Sequence, residues 1–258
     1  MHPTPAAEHI AEPLRSALKA IDKSFLIEPF DPSRSRDELR VLTGDILETP
    51  VFLRVLSIIR EKIPNATCRS ISVPTENIEA ALETGEIDLA IGHFPQLVSA
   101  NLYTALIAQF TFRCFCRVGH PLAARTMSLE EFCQVPHVVA EPACSITQFI
   151  EDWLASQHIS RNVVLRTSHF SSVPPILRAS DLMAVLPTNF RGSWFYAGSA
   201  ACVQTSFEMP VSEMRAYWHR AVHGDSRHKW WRDTLLEKLR RGAHRSMQFT
   251  DGDEVDKL

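Results

Sequence analysis

At 258 residues the chain is longer than one typical domain and leaves room for two lobes of ordinary size. With 45% hydrophobic and 22% charged residues it can bury a sizeable core, and its formal net charge of −3 excludes a surface given over wholly to gripping nucleic acid. No apolar run is long enough to cross a bilayer and the N-terminus lacks the basic and apolar regions of a secretory signal, so no membrane contact and a cytoplasmic location are expected.

Thr4-Pro5 is a helix start, a hydroxyl N-cap followed by proline at the first helical position. Ile10, Leu14, Leu18, Ile21 and Phe25 then recur at helical spacing to about Ile27, with a kink predicted at Pro13. A lone amphipathic helix must bury its stripe on something. A matching helix of a second chain is the natural candidate, and packing back on its own domain is the alternative. Residues 1–30 therefore read as a linker and dimerisation helix, and Pro29–Arg36 as a linker rich in turn residues.

From Asp37 the pattern alternates. Leu39–Thr43 is predicted as a strand, Gly44–Thr49 as a loop and Pro50–Lys62 as a helix. Thr67–Val73 and Ile87–Gly92 are strands around a helix over Glu76–Glu83, with Gly85 placed where a helix stops on a left-handed residue. That is a βαβαβ unit with a parallel sheet. A second round follows, with strands from His137, over Asn162–Thr167 and over Leu182–Leu186, and helices over Ile146–Ser156 and Val173–Ala179. Leu102–Arg117 reads as the first crossover between lobes and Glu213–His219 as a strand returning to the first lobe. The expected division is lobe one at 37–110 with 211–245, lobe two at 111–210, and a disordered tail at 246–258. The basic stretch Arg227–Arg245 reads as the solvated face of a helix whose other face is Trp231, Leu235 and Leu239.

Motifs for catalysis are few. Six cysteines form no CxxC pair and read as buried small apolar residues. His219 and His223 have metal-like spacing without the glutamate a zinc protease needs, and no phosphate-binding glycine loop or nucleophile elbow is present. No metal, cofactor or catalytic residue is expected. Cys144 and His169 meeting as thiol and base is the one enzymatic alternative.

Ligands of open α/β sheets bind beyond the carboxyl ends of the strands, where helix N-termini aim N–H groups outward. That rule nominates Asp45, Thr49, Thr75 and His93 from the first lobe. From the second it nominates Ser145, Thr147, His169, Phe170, Ser171 and Thr188. Plain N-capping is the competing role for the hydroxyls, and core packing for Phe170. Trp218, at the end of the return strand, reads either as an aromatic wall at the hinge or as core. With no arginine placed in this cleft, an anionic effector is expected to be held by backbone N–H groups and the His169 imidazole.

Four stretches together resemble the LysR-type transcriptional regulators over about Thr4 to Arg241. TPAAEHIAEPLRSAL is similar to the family's linker helix, and FDPSRSRDELRVLTGD to the opening of its effector domain. ETGEIDLAIG resembles its most recognisable effector-domain motif, and FRCFCRVGHPLA its first crossover. The FDP segment, Ser168–Phe170 and YWHRAVHGDSRHKWW resemble the branch that answers aromatic acids, flavonoids and chlorinated aromatics. The resemblance implies two periplasmic-binding-protein-like (type 2) lobes around a cleft, preceded by a linker helix. It further implies a small aromatic effector, a homodimer or, at full length, a tetramer, and promoter DNA bound only through a helix-turn-helix that this chain lacks. A solute-binding protein of the same fold is the alternative from another class.

Overall fold

The first sheet begins where an alternating stretch becomes buried: β1 (Glu38–Thr43) lies under both faces of the sheet at Leu39, Val41 and Leu42. In this computed structural model the described residues are 10, 13–16, 18, 30–141, 146–188 and 200–247, with side chains to residue 242. The chain continues through α1 (Asp45–Lys62), β2 (Thr67–Ile71), a 3-10 turn at Thr75–Asn77, α2 (Ile78–Thr84) and β3 (Leu89–Gly92). Then come β4 (Leu102–Phe110) and β5 (Phe112–Cys116), α3 (Leu129–Gln134), β6 (His137–Ala140) and α4 (Thr147–Ser156). The remaining elements are β7 (Val163–Thr167), a 3-10 turn at Phe170–Ser172, α5 (Val173–Arg178), β8 (Ala184–Pro187), β9 (Ala201–Val203), β10 (Ser212–His219) and α6 (Ser226–Met247).

Lobe one is a five-stranded sheet in the order β2-β1-β3-β10-β4. β1 pairs in parallel with β2 and β3, as two right-handed crossovers require, while β10 runs antiparallel between β3 and β4. Every residue of β3 is buried, which explains its unbroken apolar sequence. Gly85 ends α2 at φ 72°, and Gly92 ends β3 where a Cβ would stand 2.8 Å from the Phe94 ring. Leu42, Ile78, Leu82, Ile87, Phe94 and Tyr217 form the core on the α2 side. α1 and α6 pack against each other, with Lys238 Nζ 2.7 Å from both Ser57 Oγ and Glu61 Oε2.

Lobe two repeats the same order with a thinner seam. β8-β5-β9 form one antiparallel set and β6-β7 a parallel pair. The two are joined by the bridge between His137 and Met183 and the bond from Val138 N to Met183 O. Read across that bridge the order is β7-β6-β8-β5-β9, matching lobe one strand for strand. Phe115, Val138, Phe170, Val173, Leu177 and Leu186 fill its core.

The chain changes sheets at Thr111, between Phe110 in lobe one and Phe112 in lobe two. Thr111 Oγ1 donates to the Pro210 carbonyl on the returning crossing at 3.1 Å, and its carbonyl accepts from Thr188 N at 2.9 Å. Both crossings are thus tied together at one point, which makes a hinge there physically reasonable.

Several expectations need correction. Gly44–Thr49 is not a loop: α1 starts at Asp45 and carries Pro50 inside it, where the ring removes only the bond to the Ile46 carbonyl. Leu102–Arg117 does hold the crossing between lobes, made by two strands, one in each sheet, that meet at Thr111. Of the cysteines, Cys114 and Cys116 are buried whereas Cys68, Cys133 and Cys202 are only half-buried. The basic face of α6 is not simply solvated, because Arg227 pairs with Asp37 at 3.0 Å and Arg232 is 5% exposed over the Trp218 ring. α6 also runs two residues into the stretch expected to be tail; residues 248–258 lie outside the described residues. α3, with its Ser128/Glu131 capping box, and β9 were not expected at all. Ile10, Leu14 and Leu18 of the N-terminal stripe are helical and exposed.

Candidate functional site

A cavity of about 630 Å³ opens between the two lobes, the size of a small-molecule pocket. The carboxyl end of β3 and the start of the Thr75 turn supply Thr75, His93, Phe94, Pro95 and Gln96. The end of β6 and the inner face of α4 supply Glu141, Thr147, Gln148, Phe149, Glu151 and Asp152. Strand ends from two parallel units therefore face each other, which is the geometry the carboxyl-end rule demands.

Aromatic rings run across the lobes from the cavity wall, which His93 and Phe149 form, into the buried interior. His93 meets Phe149 edge-on with centroids 4.8 Å apart, Phe149 stacks on Phe112 at 5.9 Å, and Phe112 meets Phe110 at 5.6 Å. His93 is anchored from below: its Nδ1 lies 3.2 Å from the Glu213 carbonyl and 2.9 Å from Ser212 Oγ. A carbonyl only accepts, so Nδ1 carries the proton and Nε2 is the acceptor. Nε2 is buried without a hydrogen-bond partner among the described residues. Burial pulls the His93 pKa down, which keeps the ring neutral near pH 7.

The polar side is acidic. Glu141 pairs with Arg166 and Glu151 with Arg161, while Asp152 accepts a bond from the Gln148 amide at 2.7 Å. No lysine or arginine is among the described residues that line the cavity.

Beside the cavity the lobes touch directly. Asp45, in the first turn of α1, accepts the Phe170 N–H from lobe two at 2.7 Å. Ile46 and Leu47 pack against the lobe-two core around Phe170 and Val173. A carboxylate is thus already seated at the first amide of the Phe170–Ser172 turn, where an incoming anion was expected.

The profile of the LysR substrate binding domain matches residues 32–240. The chain belongs to that family. Among its LysR-family relatives is the HTH-type transcriptional activator NahR of Pseudomonas putida, 27% identical over 238 residues, spanning 92% of this chain and 79% of that protein. LinR of Sphingobium indicum, an HTH-type transcriptional regulator, is 27% identical over 242 residues, spanning 93% and 79%. The fold is also that of the transcriptional regulator PA0477 of Pseudomonas aeruginosa, with a TM-score of 0.72 at 22% identity over 91% of this chain and 78% of that one. The regulatory domain of MexT from the same organism aligns at a TM-score of 0.65 and 20% identity, covering 79% and 98%. The relatives are regulators, not enzymes. This chain is the effector-binding domain of a LysR-type regulator, and no described helix is long and apolar enough to cross a membrane.

Within this LysR-family domain the candidate residues scatter. Thr75, His93 and Thr147 line the cavity. Thr147 spends its hydroxyl proton on the Ala140 carbonyl, and Thr188 donates to the Thr111 carbonyl at 3.1 Å, at the crossing. Thr49 is half-buried in the second turn of α1, not at a helix start. His169 and Ser171 are exposed and are not among the described lining residues. Phe170 is 3% exposed in the lobe-two core. Ser145 and Cys144 lie outside the described residues.

Trp218 is not a cleft wall. β10 is antiparallel to β3, pairing Arg215 with Gly92 and Tyr217 with Ala90, so its last residues lie at the end of the sheet away from the cavity. There Trp218 sits beneath Arg232 at 4.6 Å and donates from Nε1 to His223 Nδ1 at 3.1 Å. The same pairing brings Ser212 and Glu213 to the cavity end, under His93. Phe149 and Asp152 escaped notice because a helical phenylalanine reads as core and a helical aspartate as solvated surface.

Proposed function

We propose that this effector-binding domain senses a small aromatic compound in the cavity between the lobes and passes the event to a helix-turn-helix on the same regulator. The observation that carries the reading is the pair of rings of His93 and Phe149, which line the cavity and meet across the two lobes at 4.8 Å. An aromatic ring inserted there contacts both lobes at once, so its binding energy favours one lobe arrangement over another. The resemblance to the branch that answers aromatic compounds supports the same class. The exposed stripe of Ile10, Leu14 and Leu18 supports association through the N-terminal helix, with a dimer as the working unit in the cytoplasm.

The test is a thermal-shift and calorimetric screen of salicylate-like acids, chlorophenols and flavonoids. A binder from these classes should raise the melting temperature, and Phe149→Ala should remove the shift while leaving the unliganded protein folded. A screen in which none of them binds, or in which Phe149→Ala binds as the parent does, refutes the reading.

A further inference from the structure

The two lobes match strand for strand, yet they differ at the centre of the sheet. In lobe one β1 pairs directly with β3 at Val41, Leu42 and Thr43. The equivalent strands of lobe two, β6 and β8, share a single bridge. It is closed by Met183 N–H to the Pro136 carbonyl at 2.9 Å and by Val138 N–H to the Met183 carbonyl at 2.8 Å. Continuing that parallel ladder takes two more bonds, from Val185 N–H to the Val138 carbonyl and from Ala140 N–H to the Val185 carbonyl. Neither is formed among the described residues. Val185 cannot turn to β5 instead. Thr188 N bonds to the Thr111 carbonyl across that antiparallel pair, so Leu186 and Ala184 face β5 and Val185 faces β6.

A cavity of about 10 Å³ lies in the gap. Residues 138–140 of β6 and 185–187 of β8 line it, and successive residues of a strand belong to opposite faces of the sheet. Ile150 of α4 and Val173 of α5 line it too, and right-handed crossovers to either side of β6 put those helices on opposite faces. The cavity therefore lies between the strands and not on one side of them. Arg161 is its charged wall: the side chain is 4% exposed and pairs with Glu151, while Nε is buried without a partner among the described residues. The Arg161 charge bears on both His137 of β6 and Cys114 of β5, the residue paired with Val185. That places the guanidinium over the seam.

The gap thus offers donors at Ala140 N, Val185 N and Arg161 Nε, and acceptors at the Val138 and Val185 carbonyls. An anion would meet the carbonyls, a cation would meet the guanidinium, and an apolar group would leave every one of them unsatisfied. A guest that donates and accepts, carries no charge and fits this volume is a water molecule.

We propose that lobe two carries one internal water in this seam, linking β6 to β8 in place of two backbone bonds and accepting a bond from Arg161 Nε. Among the described residues the site shares only Thr147 with the cavity between the lobes, so it is distinct from the effector site.

The test is water-selective NMR on the isotope-labelled chain. Dipolar cross-peaks from water should reach the amides of Ala140 and Val185 and the Arg161 Nε–H. They should have opposite signs in laboratory-frame and rotating-frame experiments, the mark of a water that stays bound while the protein tumbles. The Ala90 amide, buried in the directly paired β3, should give none. In Thr147→Val the cross-peaks should persist, because the Thr147 hydroxyl is not their source. In Val185→Ile the added methylene should fill the gap and abolish them. A parent chain without cross-peaks at the two amides overturns the proposal. So do cross-peaks that disappear in Thr147→Val, and so do cross-peaks of undiminished intensity in Val185→Ile.

Discussion

The carboxylate of Asp45 and the backbone N–H of Phe170 meet at 2.7 Å, joining the first turn of α1 in lobe one to the start of α5 in lobe two. The two residues are 125 positions apart, and Ile46 and Leu47 reinforce the contact by packing into the lobe-two core. Removing the carboxylate leaves a half-buried amide without its acceptor. Asp45→Ala should therefore cost about 1.5–3 kcal/mol, the range for a hydrogen bond to a charged group, and Asp45→Asn less because its amide oxygen still accepts. Urea denaturation measures the loss. Faster hydrogen exchange of the Phe170 amide in Asp45→Ala identifies its origin, and unchanged exchange would show that the contact does not hold the lobes.

Asp88, the aspartate of the EIDLAIG stretch, supports a second prediction. It is 8% exposed, accepts Arg40 N at 2.8 Å, pairs with the Arg40 guanidinium at 3.2 Å and stands 3.5 Å from Arg227 on α6. Its own carbonyl accepts from His228 Nε2 at 2.8 Å. One residue thus fastens the β1 backbone and the C-terminal helix to the start of β3. Asp88→Ala should lower stability by about 3 kcal/mol, since it strands the Arg40 amide and leaves the partly buried Arg40 guanidinium without its carboxylate, while Arg227 keeps Asp37. Its effect on ligand affinity in the folded protein should be within error, as calorimetry at low temperature would show.

The sequence disclosed the strands more readily than the cavity, and for physical reasons. LAIG, and HVVA after its histidine, are apolar runs because both their faces are covered, and Gly85 stands out because only a left-handed residue ends α2. The carboxyl-end rule reached Thr75, His93 and Thr147 because parallel strands share one direction. It failed at Trp218, because pairing direction is a tertiary property that local pattern does not encode. Pro50 misled in another way: proline favours the first helical position, yet here the Asp45 contact and Ile46–Leu47 packing hold five earlier residues in helix.

Trp218 yields a prediction from its true position. It is 5% exposed, with Arg232 over one face and the rings of Tyr103 and His223 stacked at 6.1 Å. Trp218→Ala should destabilise by roughly 3–5 kcal/mol through the cavity it opens between β10 and α6. Trp218→Phe should recover much of that while losing the indole bond to His223. Neither change should alter ligand affinity measured well below the melting temperature. A loss of affinity in Trp218→Phe would mean that this end of the sheet communicates with the cavity.

The response to pH is set by histidines held neutral inside the fold. His137 is fully buried on β6, donates from Nδ1 to the Val135 carbonyl at 2.8 Å and leaves Nε2 without a partner among the described residues. Burial, and then the nearby Arg161 charge, hold its pKa down at about 4. Burial also lowers His93 and His228. An unfolded histidine takes a proton near pH 6.5, so between about 6.5 and 4 the unfolded chain binds a proton that the native one refuses. The stabilisation is complete above pH 6.5 and is lost as pH falls, at about 1.4 kcal/mol per pH unit for His137, roughly 3 kcal/mol in all. Urea denaturation at pH 7, 6 and 5 should show that slope in the parent. His137→Gln cannot titrate there, and its slope should be shallower by about 1 kcal/mol per unit whatever its absolute stability. Equal slopes in the two proteins would show that His137 protonates normally in the folded state and that its burial carries no pH dependence.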